Sequence, residues 1–154
     1  MPGEIIIDTQ LLVLYIVGCT SPQYIRRHKR LRDVYTEADF DLLTRMMARA
    51  SRVVVTPNVL TESSNFLLSY IDEPARTRIM EKFQQLIAGL EEDYVPSERA
   101  AERPEFMRLG LADAVLLDAG DESRTLLTAD FPLYDAALRS GRLAVNFNHV
   151  RDFQ

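Results

Sequence analysis

A three-layer α/β/α sandwich with a mostly parallel central sheet is the architecture this sequence predicts, on three observations. Short all-apolar runs, such as Ile5-Ile6-Ile7 and Val53-Val54-Val55, read as strands buried on both faces. Segments with helical spacing or helix-start chemistry alternate with these runs. The chain, 154 residues long, is long enough for one well-filled core and too short for two ordinary domains, so residues 1–154 are expected to form one unit. Hydrophobic residues make up 47% and charged residues 27%, a balance that excludes a disordered or fibrous chain.

The first strand is expected at 5–7, followed by a buried helix at 11–17. That helix ends in Ile16-Val17-Gly18-Cys19, which has the shape of a lipoprotein cleavage box. Glu4, Asp8 and Gln10 deny it the basic start and unbroken apolar stretch of a signal peptide, so the segment reads as core. No run reaches the ~18 to 20 apolar residues that cross a bilayer, so no membrane partner is expected. The one cysteine, Cys19, forms no internal disulfide, and no Cys or His cluster suggests zinc, which points to a reducing cytoplasm.

The basic stretch Arg26-Arg27-His28-Lys29-Arg30-Leu31-Arg32 bridges to a helix that Thr36 caps and that runs to about Ala50. Residues 53–55 form the second strand, and Thr56-Pro57 opens the next helix with a capping hydroxyl and a proline at the first helical position. Asp72-Glu73-Pro74-Ala75 opens another, with Ile79, Met80, Phe83, Leu86, Ile87 and Leu90 at helical spacing. A strand is expected at Tyr94-Val95, and 97–108 is the least regular stretch, interrupted by Pro104. A short apolar helix at 111–119, a strand at 125–128, a helix at 131–139 stopped by Gly141, and a last strand at 143–147 complete the chain.

In a parallel sheet, right-handed crossovers put the C-terminal strand ends on one edge, where the ligand crevice lies. Asp8 follows the first strand and Asp130 follows Leu126-Leu127-Thr128-Ala129, so both fall on that edge. Glu62 sits three residues after Val59 and four before Phe66, on an apolar helix stripe. Asp113 neighbours Leu116 and Leu117, and Leu109 if its helix extends that far back. Each acid has a plainer reading: Asp8 and Asp130 as helix caps, Asp113 as a complement to a helix dipole, Glu62 as a partly exposed helix residue. A capping aspartate can still bind metal. Gathered together, four carboxylates repel one another, and a divalent cation relieves that repulsion. Hard oxygen donors select Mg²⁺ or Mn²⁺, the ions suited to phosphodiester hydrolysis.

Net charge is −5, yet Arg26, Arg27, Lys29, Arg30 and Arg32 concentrate positive charge, leaving 13 basic against 23 acidic residues elsewhere. Arg26 and Arg30 would share one face of a helix and contact phosphates, with Tyr24 and Tyr35 available for stacking, unless the stretch is only a solvated helix face.

The segments Ile-Ile-Ile-Asp8-Thr-Gln, Val-Leu-Thr-Glu62, Leu-Ala-Asp113-Ala and Leu-Leu-Thr-Ala-Asp130 resemble, in order and placement, the four acidic motifs of PIN domains. The resemblance covers about residues 4–147. It implies a Mg²⁺- or Mn²⁺-dependent endoribonuclease with Asp8, Glu62, Asp113 and Asp130 as catalytic metal ligands and Thr128 as a supporting hydroxyl. Small PIN proteins resembling the VapC type are toxins of toxin–antitoxin pairs, which implies an RNA substrate, an antitoxin partner and a homodimer. Gln10 stands where the first motif usually has asparagine, and Phe-Pro-Leu follows Asp130 in place of a further acid.

A haloacid-dehalogenase phosphatase would need an aspartate at position 10, and a phosphoacceptor receiver an acidic pair ahead of its aspartate. No glycine-rich phosphate loop or Gly-x-Ser-x-Gly elbow is present. The rival from another class is a non-catalytic PIN-like domain that binds RNA or protein.

Overall fold

The computed structural model describes residues 3–120 and 123–152; the expected unit of 1–154 runs past them at both ends. Five strands, β1 (Glu4–Ile7), β2 (Val53–Val55), β3 (Glu91–Glu92), β4 (Arg124–Thr128) and β5 (Leu143–Asn146), form one sheet of order β3-β2-β1-β4-β5. Every pairing in it is parallel. Around the sheet lie α1 (Thr9–Thr20), α2 (Glu37–Arg49), α3 (Pro57–Ser69), α4 (Ala75–Ile87), α5 (Ser97–Ala101), α6 (Phe106–Leu109), α7 (Leu111–Asp118), α8 (Phe131–Arg139) and α9 (Phe147–Arg151). The chain builds leftward from β1 to β3, then returns to add β4 and β5 on the right. Right-handed crossovers therefore place α1–α4 on one face and α5–α8 on the other, the expected three-layer α/β/α sandwich.

Strand ends and helix starts coincide because their residues suit both. Ile5, Ile6 and Ile7 are buried, and Asp8 then leaves the strand and caps α1 through a Thr9 N–H···Oδ1 bond of 2.7 Å. Packed against α2, α3 and α4, α1 is apolar on nearly every side, as a helix at the centre of a layer must be. Thr36 and Asp39 form a capping box at the start of α2. Asp39 also accepts from Arg151 at 2.8 Å, which ties α9 to that helix.

Several elements depart from expectation. The basic stretch is a 3₁₀ turn at Pro22–Arg26 followed by tight turns, so Arg26 and Arg30 do not share a regular helix face. The third strand lies at Glu91–Glu92 and not at Tyr94-Val95: an edge strand beside β2 tolerates two exposed glutamates, while Val95 turns into a small separate cluster with Ala100, Ala114 and Val115. The irregular 97–108 stretch holds two short helices, α5 and α6. Gly110, with φ of +86°, interrupts the chain between α6 and α7, so Asp113 and Leu109 are not on one continuous helix. The last strand stops at Asn146, whose side chain accepts from the Asn148 N–H and starts α9.

Gly18 owes its place to packing. A Cβ there would lie 2.2 Å from the nearest Phe40 ring atom, inside the contact of α1 with α2. Gly18→Ala is expected to destabilise the protein by about 1–3 kcal/mol through overpacking, measured by urea unfolding. An unchanged midpoint would show that the Phe40 ring swings clear.

Candidate active site

Between β1 and β4 the strand order reverses direction, and the crevice beyond their C-terminal ends is where an open α/β sheet binds ligands. The residues there come from four parts of the chain. Asp8 ends β1, and Asp130, just past β4, caps α8 through a Leu133 N–H···Oδ1 bond of 3.2 Å. Glu62 comes from the middle of α3, and Asp113 from the first turn of α7. All four carboxylates line a single cavity of about 250 Å³. Both aspartates at strand ends are thus helix caps and cavity residues at once.

Thr128 holds the two strand ends together. Fully buried, it donates its hydroxyl to Asp8 Oδ2 at 2.8 Å and accepts the Asp130 N–H at 3.0 Å. Asp8 therefore has one oxygen on the Thr9 amide and the other on Thr128, which leaves each oxygen a further lone pair. Gln10 also lines the cavity.

Electrostatics register the crowding. Burial raises the Asp8 carboxyl above its ordinary value, an effect its hydrogen bonds from Thr128 and Thr9 oppose. Glu62 is raised by burial and then by Asp8. Asp113 is pushed up to about 7, first by burial and then by Asp8, Asp130 and Glu62. Asp113 feels the charge of the other three acids, yet no group of three or more His, Cys, Asp or Glu side chains among the described residues is close enough to hold a metal ion. The donor set is nonetheless of the kind that Mg²⁺ or Mn²⁺ prefers, hard carboxylate oxygens with surplus negative charge.

Of the two candidate phosphate contacts, Arg30 reaches this cavity and Arg26 does not. The Arg30 guanidinium lies 5.0 Å from the Phe66 ring centre and 5.9 Å from that of Tyr70, a cation–π platform. Arg26 lies on the surface, 3.1 Å from Glu37. The two tyrosines expected to stack are unavailable: Tyr24 and Tyr35 are both buried in the core, because the turns fold their rings inward.

Two residues that position Arg30 escaped the sequence reading. Phe66 reads as plain core because it follows Glu62 by one helical turn; the same spacing brings it to the cavity wall. His28, fully buried, has its Nε2 3.1 Å from the Phe66 carbonyl and accepts the Arg30 N–H on Nδ1 at 3.3 Å. Those partners require the neutral tautomer with Nε2–H donating, and burial lowers the His28 pKa accordingly. A lone histidine in a basic run carries no periodic signal of that role.

No protein-family model matches the chain, and no curated protein matches it. Among solved structures, one similar chain is a domain of a functionally unknown protein from Methanocaldococcus jannaschii DSM 2661, 18% identical. The match covers 94% of this chain and 90% of that one, with a TM-score of 0.49. No helix among the described residues is long and apolar enough to cross a membrane.

Asp113 makes the site's repulsion measurable. Its folded-state pKa lies above its unfolded value, so its contribution to stability is complete below the unfolded pKa and is lost as pH rises through about 7. Without divalent ions the protein is expected to melt lower at pH 8 than at pH 5, and Asp113→Asn to raise the pH 8 melting temperature by a few degrees. Identical pH dependence in the two proteins would place the titration elsewhere.

Proposed function

We propose that this chain is a Mg²⁺- or Mn²⁺-dependent endoribonuclease of the PIN-domain type, acting as the toxin of a toxin–antitoxin pair in the cytoplasm. The observation that carries the reading is the gathering of Asp8, Glu62, Asp113 and Asp130 around one cavity at the point where the strand order reverses. A site that accumulates negative charge cannot attract a phosphodiester unaided. In this reading Asp8, Glu62, Asp113 and Asp130 would hold the cation, which when bound would supply neutralisation of the phosphate and a water acidic enough to attack near neutral pH.

The chain's own groups do the remainder. Thr128 fixes the rotamer of Asp8 by its hydroxyl bond. Asp113, in the first turn of α7, faces the same cavity and completes the set of carboxylates around the cation. Arg30, held on Phe66 and Tyr70 at the cavity wall, brings positive charge to the phosphate.

Purified protein is expected to cleave single-stranded RNA with Mn²⁺, and Asp8→Asn to abolish cleavage while keeping its melting temperature, since asparagine also caps a helix. Cleavage by Asp8→Asn at the wild-type rate, or none by wild type with any divalent ion, would sink the reading. Arg30→Ala should weaken RNA binding and reduce its salt dependence by about one counterion, whereas Arg26→Ala should change neither. Equal effects would remove Arg30 from the phosphate path. A neighbouring gene for a small protein with a DNA-binding half and an amphipathic tail would support the toxin assignment, and sedimentation would test the dimer.

That no group of three or more of these side chains among the described residues is close enough to hold a metal ion favours a second reading, a non-catalytic PIN-like domain that binds RNA or protein. Tight RNA binding without cleavage would select it.

A further inference from the structure

We propose that a second cavity, adjoining the carboxylate cavity at Glu62 and Ala112, is a nucleobase subsite in which Tyr94 stacks on the base next to the reacting phosphate. It deepens the hydrolytic reading above and rests on it for the identity of the substrate. The cavity has a volume of about 480 Å³ and shares Glu62 and Ala112 with the carboxylate cavity, so a chain of nucleotides with its phosphate in one reaches the other directly.

The lining selects the ligand. None of its residues is a lysine or arginine and Glu62 is an acid, so the lining offers a phosphate no cationic side chain. The Tyr94 ring, with the residue 73% exposed, makes no ring contact or hydrogen bond with its side chain among the described residues, and Leu111 supplies another apolar surface. Asn58, Thr61 and Ser97 add neutral groups that donate and accept. A flat, uncharged molecule with hydrogen bonds at its edge and an aromatic face matches that combination, and a nucleobase is such a molecule.

Tyr94 is also presented from an anchored backbone. On one side the Asp93 N–H bonds to the Val55 carbonyl at 2.9 Å, extending the β2–β3 pairing; on the other, Val95 is buried in its small cluster. The ring leaves the C-terminal end of β3, on the same sheet edge as Asp8 and Asp130. An exposed aromatic on a fixed support binds without the entropy cost of ordering a loop.

The test uses the full chain carrying Asp8→Asn, with Mn²⁺ and single-stranded hexanucleotides bearing 2-aminopurine at each position in turn, as ribose and deoxyribose versions. Quenching at one position is expected, with Tyr94→Ala removing it and weakening binding about tenfold. Tyr94→Phe should restore both, since stacking and not the hydroxyl is invoked. In the active protein, Tyr94→Ala should raise KM about tenfold with little change in kcat. Quenching with either sugar supports the subsite, and the comparison tells RNA from DNA as its source. Absence of quenching at every position together with an unchanged KM in Tyr94→Ala overturns it. Cleavage that ignores Tyr94→Ala fails the subsite alone; quenching lost in Tyr94→Ala, in a chain that cuts nothing, fails the hydrolytic reading alone.

Discussion

Thr128 donates its hydroxyl to Asp8 across the seam between β1 and β4, two residues separated by 120 positions in the chain. That bond exists because Ile7 pairs with Leu127 in the parallel register, which brings both strands to an end at the same level. From this seam the rest follows. Asp8 is free to cap α1 with its other oxygen, Asp130 is set by its own amide on Thr128, and the two acids face one crevice. A one-residue slip in the register would turn Thr128 to the opposite face and leave the buried Asp8 carboxylate without that donor.

The central strands and the acids were legible because their signals are local. Three isoleucines and an aspartate, or Leu-Leu-Thr followed by Ala-Asp-Phe-Pro, specify a buried strand and a capped helix within a few residues. That Asp8 and Asp130 share one edge was legible at one remove, through the handedness of crossovers, whereas topology alone did not bring Glu62 and Asp113 to it. What stayed hidden depends on surroundings. A strand of Glu91 and Glu92 has no apolar pattern; it forms because β2 offers an unpaired edge. Arg26 and Arg30 look equivalent until the turns after Arg26 send one to Glu37 and the other onto Phe66.

His28 shows the same limit on the polar side. Its two bonds join the turn that carries Arg30 to the backbone of α3, and nothing in the spacing of a basic run announces them. The Lys29 N–H adds a bond to the Tyr70 carbonyl at 2.9 Å, so the run is fastened along its length to the end of α3. A stretch rich in like charge, which in isolation would repel itself into an extended coil, is thereby held as a compact turn against the cavity.

The long separation between Asp8 and Thr128 has a consequence in time. Asp8, Glu62 and Asp113 all leave the ribosome before β4 does, and none can take its final neighbours until that strand inserts beside β1. Until then the chain holds the components of a charged pocket without the seam that assembles them, and the cavity has no fixed shape for a ligand to find.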